Sequence, residues 1–108
     1  MLRKTKIVPY DVNLYVHIGI PSEKIQKKFD IHITLDNIAE VHEVDNSIFV
    51  WFESKVFEAP IVAHEVIHIK NIVYQLINAK HDFNNDEFEA YLVEDIVNKI
   101  EKIYNQLK

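Results

Sequence analysis

The chain has 108 residues, a net charge of −5 and no cysteine. Its length predicts one domain over residues 1–108, and its acidic balance argues against a nucleic-acid-binding protein, which needs a basic surface to displace counterions from phosphate. The lack of cysteine excludes disulfides and thiolate metal sites, so a transition-metal site must use histidine and carboxylate. The sequence contains neither ~20 consecutive apolar residues nor the apolar core of a signal peptide, so we expect a cytoplasmic protein with no membrane partner.

The first predicted element is a half-buried strand over residues 7–20. Apolar and polar side chains alternate there, and the apolar face is formed by Val8, Tyr10, Val12, Leu14, Val16 and Ile18. Pro9 indicates an edge position or an irregular start, because proline cannot donate to a neighbouring strand. The basic segment at residues 3–6 is predicted to be a solvated terminus.

A short helix is predicted at residues 21–29, where Pro21 and Ser22 provide a start signal and Ile25 and Phe29 are spaced i, i+4. Three further strands are predicted, at residues 31–35, 38–44 and 48–53. The pattern over residues 38–44 is the weakest of these, whereas residues 48–53 are aromatic and β-branched enough for a strand on either face.

After Pro60 the apolar period changes from two residues to about 3.6, which is typical of a helix. Two helices are predicted, at residues 61–77 and 87–107, with a loop between them. Pro60 suits the first turn, where its missing N–H group is not needed. Strands followed by two long helices predict an α+β fold, with a small antiparallel or mixed sheet of three to four strands.

The first long helix carries the pattern H-E-x-x-H at residues 64–68. Histidines at i and i+4 stand one turn apart and can bind the same metal ion, and Glu65 lies ~100° round the helix, where it can reach a water on that ion. These are the groups that a zinc hydrolase needs. On a helical projection His64 and His68 lie away from the apolar stripe, which fits a cleft and fits a solvated face equally well.

A catalytic zinc site needs a third protein ligand. The position at which a metzincin has its third histidine is occupied by Tyr74. Carboxylates on the second long helix are the other common source, and this chain offers Glu87, Glu89 and Glu94, with His81, Asp82 and Asp86 in the loop before them.

Glu87 follows His68 with eighteen residues between them, and Ala90 stands three residues after Glu87. This H-E-x-x-H-x18-E spacing resembles the gluzincin branch of zinc metallopeptidases, in which the third ligand opens an N/D-E-x-x-A segment on a second helix. The stretches "IVAHEVIH" and "NDEFEAYLVEDIV" also resemble small HExxH proteins of bacteriophages and prophages that are described as metallopeptidases. The resemblance covers residues 61–97, and it implies a minimal zincin-like domain with an active-site helix followed by a glutamate helix.

The resemblance implies a zinc ion held by His64, His68 and Glu87, with Glu65 as the general base and a peptide or protein as the substrate. Two points stay open on the residues themselves. Glu89 projects with the apolar stripe of its helix, where a lone carboxylate is costly unless it is paired or bound to a metal, so it is the alternative third ligand.

Tyr91 lies one turn beyond Glu87 and is a candidate catalytic residue that donates to an oxyanion, with a packing role at the helix junction as its alternative. His17, His32 and His42 fall in separate segments without metal spacing and are predicted to be surface histidines. In zincins the strand before the active-site helix often pairs with an extended substrate, a role that residues 47–54 could fill.

The competing hypothesis is a non-enzymatic protein that retains this fold, as a phage virion component or a binder of a host protein. Such a protein would lie in the host cytoplasm or in the virion. The small size of the chain favours this alternative, because it leaves little area for a deep specificity pocket. A purely structural zinc site is a third hypothesis, and the glutamate beside the first histidine makes it less economical.

Overall fold

The computed structural model describes residues 1–8 and 10–107. The elements, in chain order, are β1 (Leu2–Ile7), β2 (Val12–Ile18), α1 (Glu23–Phe29), β3 (Ala39–Val44), β4 (Ser47–Phe52), α2 (Ala59–Leu76) and α3 (Glu87–Asn105). This order confirms the predicted α+β fold with a sheet followed by two long helices. No helix in the described ranges is long and apolar enough to cross a membrane.

The four strands form one mixed sheet in the order β1-β2-β4-β3. The pairs β1–β2 and β3–β4 are antiparallel, whereas β2 and β4 are parallel, with Leu14 opposite Ile48. The interior of the sheet is therefore formed by β2 and β4, and β1 and β3 are its edges.

Strand β4 is buried on both faces, as its continuous apolar sequence requires. Ile48, Val50 and Phe52 belong to the main core, which lies between the sheet and helices α2 and α3. Phe49 and Trp51 belong to a smaller core on the opposite face, under α1. The sheet thus has a helix layer on each side.

Helix α2 packs over β3 and β4, and α3 packs over β1 and β2. The two helices also pack against each other. One side of α2 therefore faces α3, and its other side faces the edge strand β3. This arrangement determines which α2 side chains can meet which neighbours.

The predicted strand over residues 7–20 is wrong in its first part. Ile7 ends β1 and pairs with Val12, so that the chain turns between them. Asp11 takes a left-handed φ of 57° in this turn and accepts from Lys6. Residues 3–6, predicted to be a solvated terminus, form most of β1. The prediction for Pro9 falls outside the described residues.

The predicted strand at residues 31–35 is absent, and this segment is a loop. Ile33 is buried in the smaller core and Ile31 packs against it, whereas Leu35 is exposed, so the alternating apolar side chains do not form one buried strand face. The predicted helix before it is confirmed as α1, where the Ser22 hydroxyl accepts from the Ile25 N–H at 3.3 Å.

His17 is buried, at 8% exposure, which corrects its prediction as a surface histidine. Its Nδ1 lies 2.8 Å from the Gly19 carbonyl oxygen, which can only accept, so Nδ1 carries the hydrogen. Burial lowers the pKa of His17 below its ordinary value of 6.5, and the N-terminal ammonium acts in the same direction, whereas the Gly19 hydrogen bond opposes them.

We expect this histidine to make stability depend on pH. Because the pKa of His17 is lower in the folded state, its contribution to stability is full above pH 6.5 and is lost as the pH falls through the lowered folded pKa. The free energy of unfolding, measured with chelator present, should therefore decrease as the pH falls below 6.5. His17→Gln should flatten this decrease, whereas His32→Gln, at an exposed loop position, should leave it unchanged.

Candidate metal centre

Helix α2 brings three side chains of the H-E-x-x-H pattern together. The possible ligand atoms of His64, Glu65 and His68 all lie within 4.8 Å of one another. The two imidazole Nε2 atoms are 3.3 Å apart, and the rings are nearly perpendicular, at an interplanar angle of 72°. The histidines are exposed, whereas Glu65 is buried.

The spacing of the two histidine nitrogens fits a tetrahedral metal ion. Zinc–nitrogen bonds of about 2.05 Å at the tetrahedral angle place two ligand nitrogens about 3.3 Å apart. Nε2 of His64 and Nε2 of His68 have this separation. The same distance suits a hydrogen bond between one protonated and one unprotonated nitrogen, so a binding measurement is needed to distinguish the two states.

Glu65 is only 6% exposed, and its Oε2 has no hydrogen-bond partner. Burial raises the pKa of this carboxyl group, with a smaller rise from Glu40, while His64 and His68 act in the opposite direction. An unpartnered buried carboxylate is costly in a structural position. It is suited to a base that accepts a proton from water bound beside the two histidines.

The three side chains line an open groove between α2 and β3, which we call the β3–α2 groove. Its volume is about 490 Å³, within the ~300–1,000 Å³ of small-ligand sites. It is lined by Asn37, Ala39, Glu40, Val41, His42, His64, Glu65, His68, Asn71 and Ile72. The site therefore has a wall formed by an edge strand, which periodicity alone did not predict.

Hydrogen bonds of Glu40 hold the first residues of β3 in place at this wall of the groove. Its carboxylate accepts from the Thr34 N–H, the Asn37 side chain and the Trp51 indole at 3.0, 2.8 and 3.1 Å. Burial acts to raise the pKa of Glu40, but these hydrogen bonds outweigh it and lower the pKa. His42, predicted at the surface, is half-buried and lies 3.4 Å from the same carboxylate.

The structure does not bring the other predicted site residues into the group of metal-binding atoms. Glu87 is the first residue of α3 and is exposed, and Tyr91 is 67% exposed. Among the described residues, the group contains only His64, Glu65 and His68.

Glu89, the alternative ligand, has another partner. Its Oε2 accepts from Lys70 Nζ at 3.0 Å and lies 3.4 Å from His81 Nε2. Lys70 is buried on the side of α2 that faces α3, away from the β3–α2 groove. The carboxylate on the apolar stripe is thus paired with a lysine on the apolar side of the neighbouring helix. The signal in the sequence for this pair was a charged residue on the otherwise apolar face of each of the two helices, with opposite signs.

The strand predicted to pair with a substrate is interior to the sheet. β4 is bonded to β2 on one side and to β3 on the other, so its backbone groups are already paired. The strand beside the histidines that has an open side is β3.

No protein-family model, curated protein or solved structure matches this chain.

Proposed function

We propose that this protein is a zinc-dependent peptidase in which His64 and His68 bind the metal and Glu65 is the general base. The main support is the 3.3 Å separation of the two Nε2 atoms, which suits two ligands of one tetrahedral ion. A second support is the buried Glu65 carboxylate, which has no other partner for Oε2.

A zinc ion held by His64 and His68 would supply a Lewis acid that polarises a carbonyl group and lowers the pKa of coordinated water toward ~7. Glu65 would be the general base toward the attacking water and then the general acid that gives the proton to the leaving amine. The raised pKa of Glu65 suits both steps, because a stronger base accepts the first proton more readily.

The substrate would bind as an additional strand on β3. The Glu53 N–H donates to the Ile38 carbonyl at 2.8 Å, so Ile38 and Glu53 are a hydrogen-bonded pair. Bonded and non-bonded pairs alternate in an antiparallel ladder, and the backbone groups of Ala39, Val41 and Glu43 therefore point away from β4. In the described part of the chain no strand pairs with this side, which leaves donors and acceptors for an extended peptide.

Zinc titration and peptide cleavage test the proposal. We expect about one zinc per chain, chelator-sensitive cleavage of a peptide library, and zinc binding that weakens in acid, because metal ligands must be deprotonated. His64→Ala should reduce zinc affinity at least tenfold, whereas His32→Ala, which removes an exposed loop histidine, should have no effect. Zinc-loaded protein that cleaves no library member would instead support the non-enzymatic alternative.

The third ligand is a separate prediction from the sequence. If Glu87 completes the site, Glu87→Ala should lower zinc affinity by at least about tenfold, since even outer-shell partners of metal ligands are worth ~10–100-fold. Glu101→Ala, at another exposed position of α3, is the matched control. Unchanged affinity in Glu87→Ala would show that Glu87 is not a ligand of the zinc ion.

A further inference from the structure

A second cavity opens at the N-terminal end of α2, and we call it the Ile38 pocket. It is lined mainly by apolar side chains and has a volume of about 190 Å³. An engineered apolar cavity of ~150 Å³ takes up benzene, so this volume accommodates one aliphatic or aromatic side chain. The apolar lining residues are Ile38, Phe52, Val56, Ile61, Val62 and Tyr104.

On both the strand side and the helix side, residues that line the Ile38 pocket are close in the chain to residues that line the β3–α2 groove. On the strand side, Ile38 directly precedes Ala39, which lines the groove. On the helix side, Ile61 lies one turn before His64 and Glu65. A peptide in the groove would therefore extend to the mouth of this pocket.

The distance along the helix sets the position of the peptide residue that reaches the pocket. Ile61 lies about 7–8 Å along the α2 axis from the midpoint of His64 and His68, at 1.5 Å per residue. An extended peptide advances ~3.3 Å per residue. The side chain that reaches the pocket therefore lies about two residues from the bond at the metal.

The mouth of the pocket has the composition of a binding surface. Ile38 and Val56 are 54% and 68% exposed, although both are apolar and both line the pocket. Both side chains therefore offer apolar surface at the mouth to an entering side chain. Glu53 and Glu58 also line the cavity and are exposed, so the apolar mouth has an acidic border.

The inner wall is formed by the Tyr104 ring. The Tyr104 hydroxyl donates to the Ser54 carbonyl at 3.1 Å. Burial, with a smaller effect of Glu58, raises the pKa of Tyr104 to about 12, so this hydroxyl is neutral. Its hydrogen is already used, so Tyr104 adds no free hydrogen-bond donor to the lining of the pocket.

We infer that the Ile38 pocket is a specificity pocket that binds an apolar side chain of the peptide substrate, about two residues from the cleaved bond, with a preference for lysine or arginine next to it. The apolar lining accounts for the first preference, and the carboxylates of Glu53 and Glu58 account for the second. This inference rests on the proposed peptidase function for the position of the cleaved bond, but the binding of an apolar side chain can be measured without cleavage.

The test uses two exposed pocket positions, so that the variants retain their fold. Zinc-loaded wild type, Ile38→Lys and Val56→Lys are compared with Ile20→Lys, which changes an exposed isoleucine outside the pocket. Cleavage of a random peptide library is read by sequencing the products. Binding is read from the fluorescence anisotropy of labelled heptapeptides in which one leucine is moved through an alanine–lysine background.

We expect leucine, isoleucine, methionine or phenylalanine to be enriched at one position within three residues of the cleaved bond. Leucine at the best position should improve binding about 10- to 100-fold over alanine. Ile38→Lys and Val56→Lys should abolish the preference for an apolar side chain and the preference for lysine or arginine next to it. Ile20→Lys should retain both preferences. Leucine-selective binding without any cleavage would support the pocket and contradict the peptidase. Cleavage or binding without an apolar preference would overturn the specificity pocket, and so would a preference that is unchanged in both pocket variants. A chain that neither cleaves nor binds peptides would overturn both the specificity pocket and the proposed peptidase function.

Discussion

Glu65→Gln is expected to bind zinc with nearly the affinity of the wild type and to lose peptide cleavage by about 10²–10⁴-fold. The amide has almost the shape of the carboxylate, so the positions of His64 and His68 should not change. It cannot accept a proton, and general-base catalysis of this kind contributes about 10²–10⁴-fold to a rate. Zinc titration and cleavage rate should be measured on the same preparation.

The matched control is Glu101→Gln, which neutralises an exposed carboxylate of α3 outside the groove. It should cleave at the wild-type rate, and so it corrects for the change in net charge. If Glu65→Gln cleaves as fast as Glu101→Gln, Glu65 is not the base. If it loses zinc, Glu65 contributes to metal binding rather than to proton transfer alone.

Among the ion pairs of the described residues, Lys70–Glu89 is expected to contribute most to the packing of α2 on α3. Removal of one partner of a fully buried pair costs about 3–5 kcal/mol, because the other charge is left buried. The Glu89 side chain is 35% exposed, so we expect a smaller loss, about 2–3 kcal/mol, for Glu89→Ala. Chemical denaturation in the presence of chelator measures this loss without a contribution from zinc.

Asp95→Ala is the matched control, because Asp95 pairs with Lys99 on the same helix at 2.9 Å. This i, i+4 pair should be worth only about 0.3–0.5 kcal/mol. The double variant Lys70→Met with Glu89→Leu should recover much of the stability, since neither charge remains buried. If Glu89→Ala lowers the free energy of unfolding no more than Asp95→Ala does, the Lys70–Glu89 pair is not needed for the packing of α2 on α3. Zinc affinity should be unchanged in Glu89→Ala, because Lys70 already holds its carboxylate away from the groove.

The long helices and β4 were predictable because their apolar patterns reflect burial directly. A stripe at a period of 3.6 marked α2 and α3. The aromatic and β-branched run of β4 marked a strand, and the structure shows that it is covered on both faces. The i, i+4 spacing of His64 and His68 likewise fixed their approach, because helix geometry alone sets it.

The features of the fold and the site that could not be predicted from the sequence depend on contacts between distant segments. β1 is an edge strand with Arg3, Lys4 and Lys6 exposed, so it has little apolar pattern, and charged residues are common on such edges. Residues 31–35 have the alternation of a strand, but within the described ranges they pair with no strand of the sheet. The contribution of β3 to the groove follows from the strand order, and the pairing of Lys70 with Glu89 follows from helix packing. The position of β3 and the Lys70–Glu89 pair cannot be predicted from the spacing of apolar residues within a single segment.

The connection between β3 and β4 has a consequence for how the protein folds. Val44 pairs with Ser47 across a two-residue turn in which Asp45 has a left-handed φ of 55°. The parallel pairing of β2 with β4 instead joins Leu14 to Ile48 and must enclose α1 and β3 in the loop. Closing a short loop costs less entropy than closing a long one, and local contacts speed folding. The β3–β4 hairpin is therefore expected to form before β2 joins it, so that one wall of the groove precedes the completed sheet.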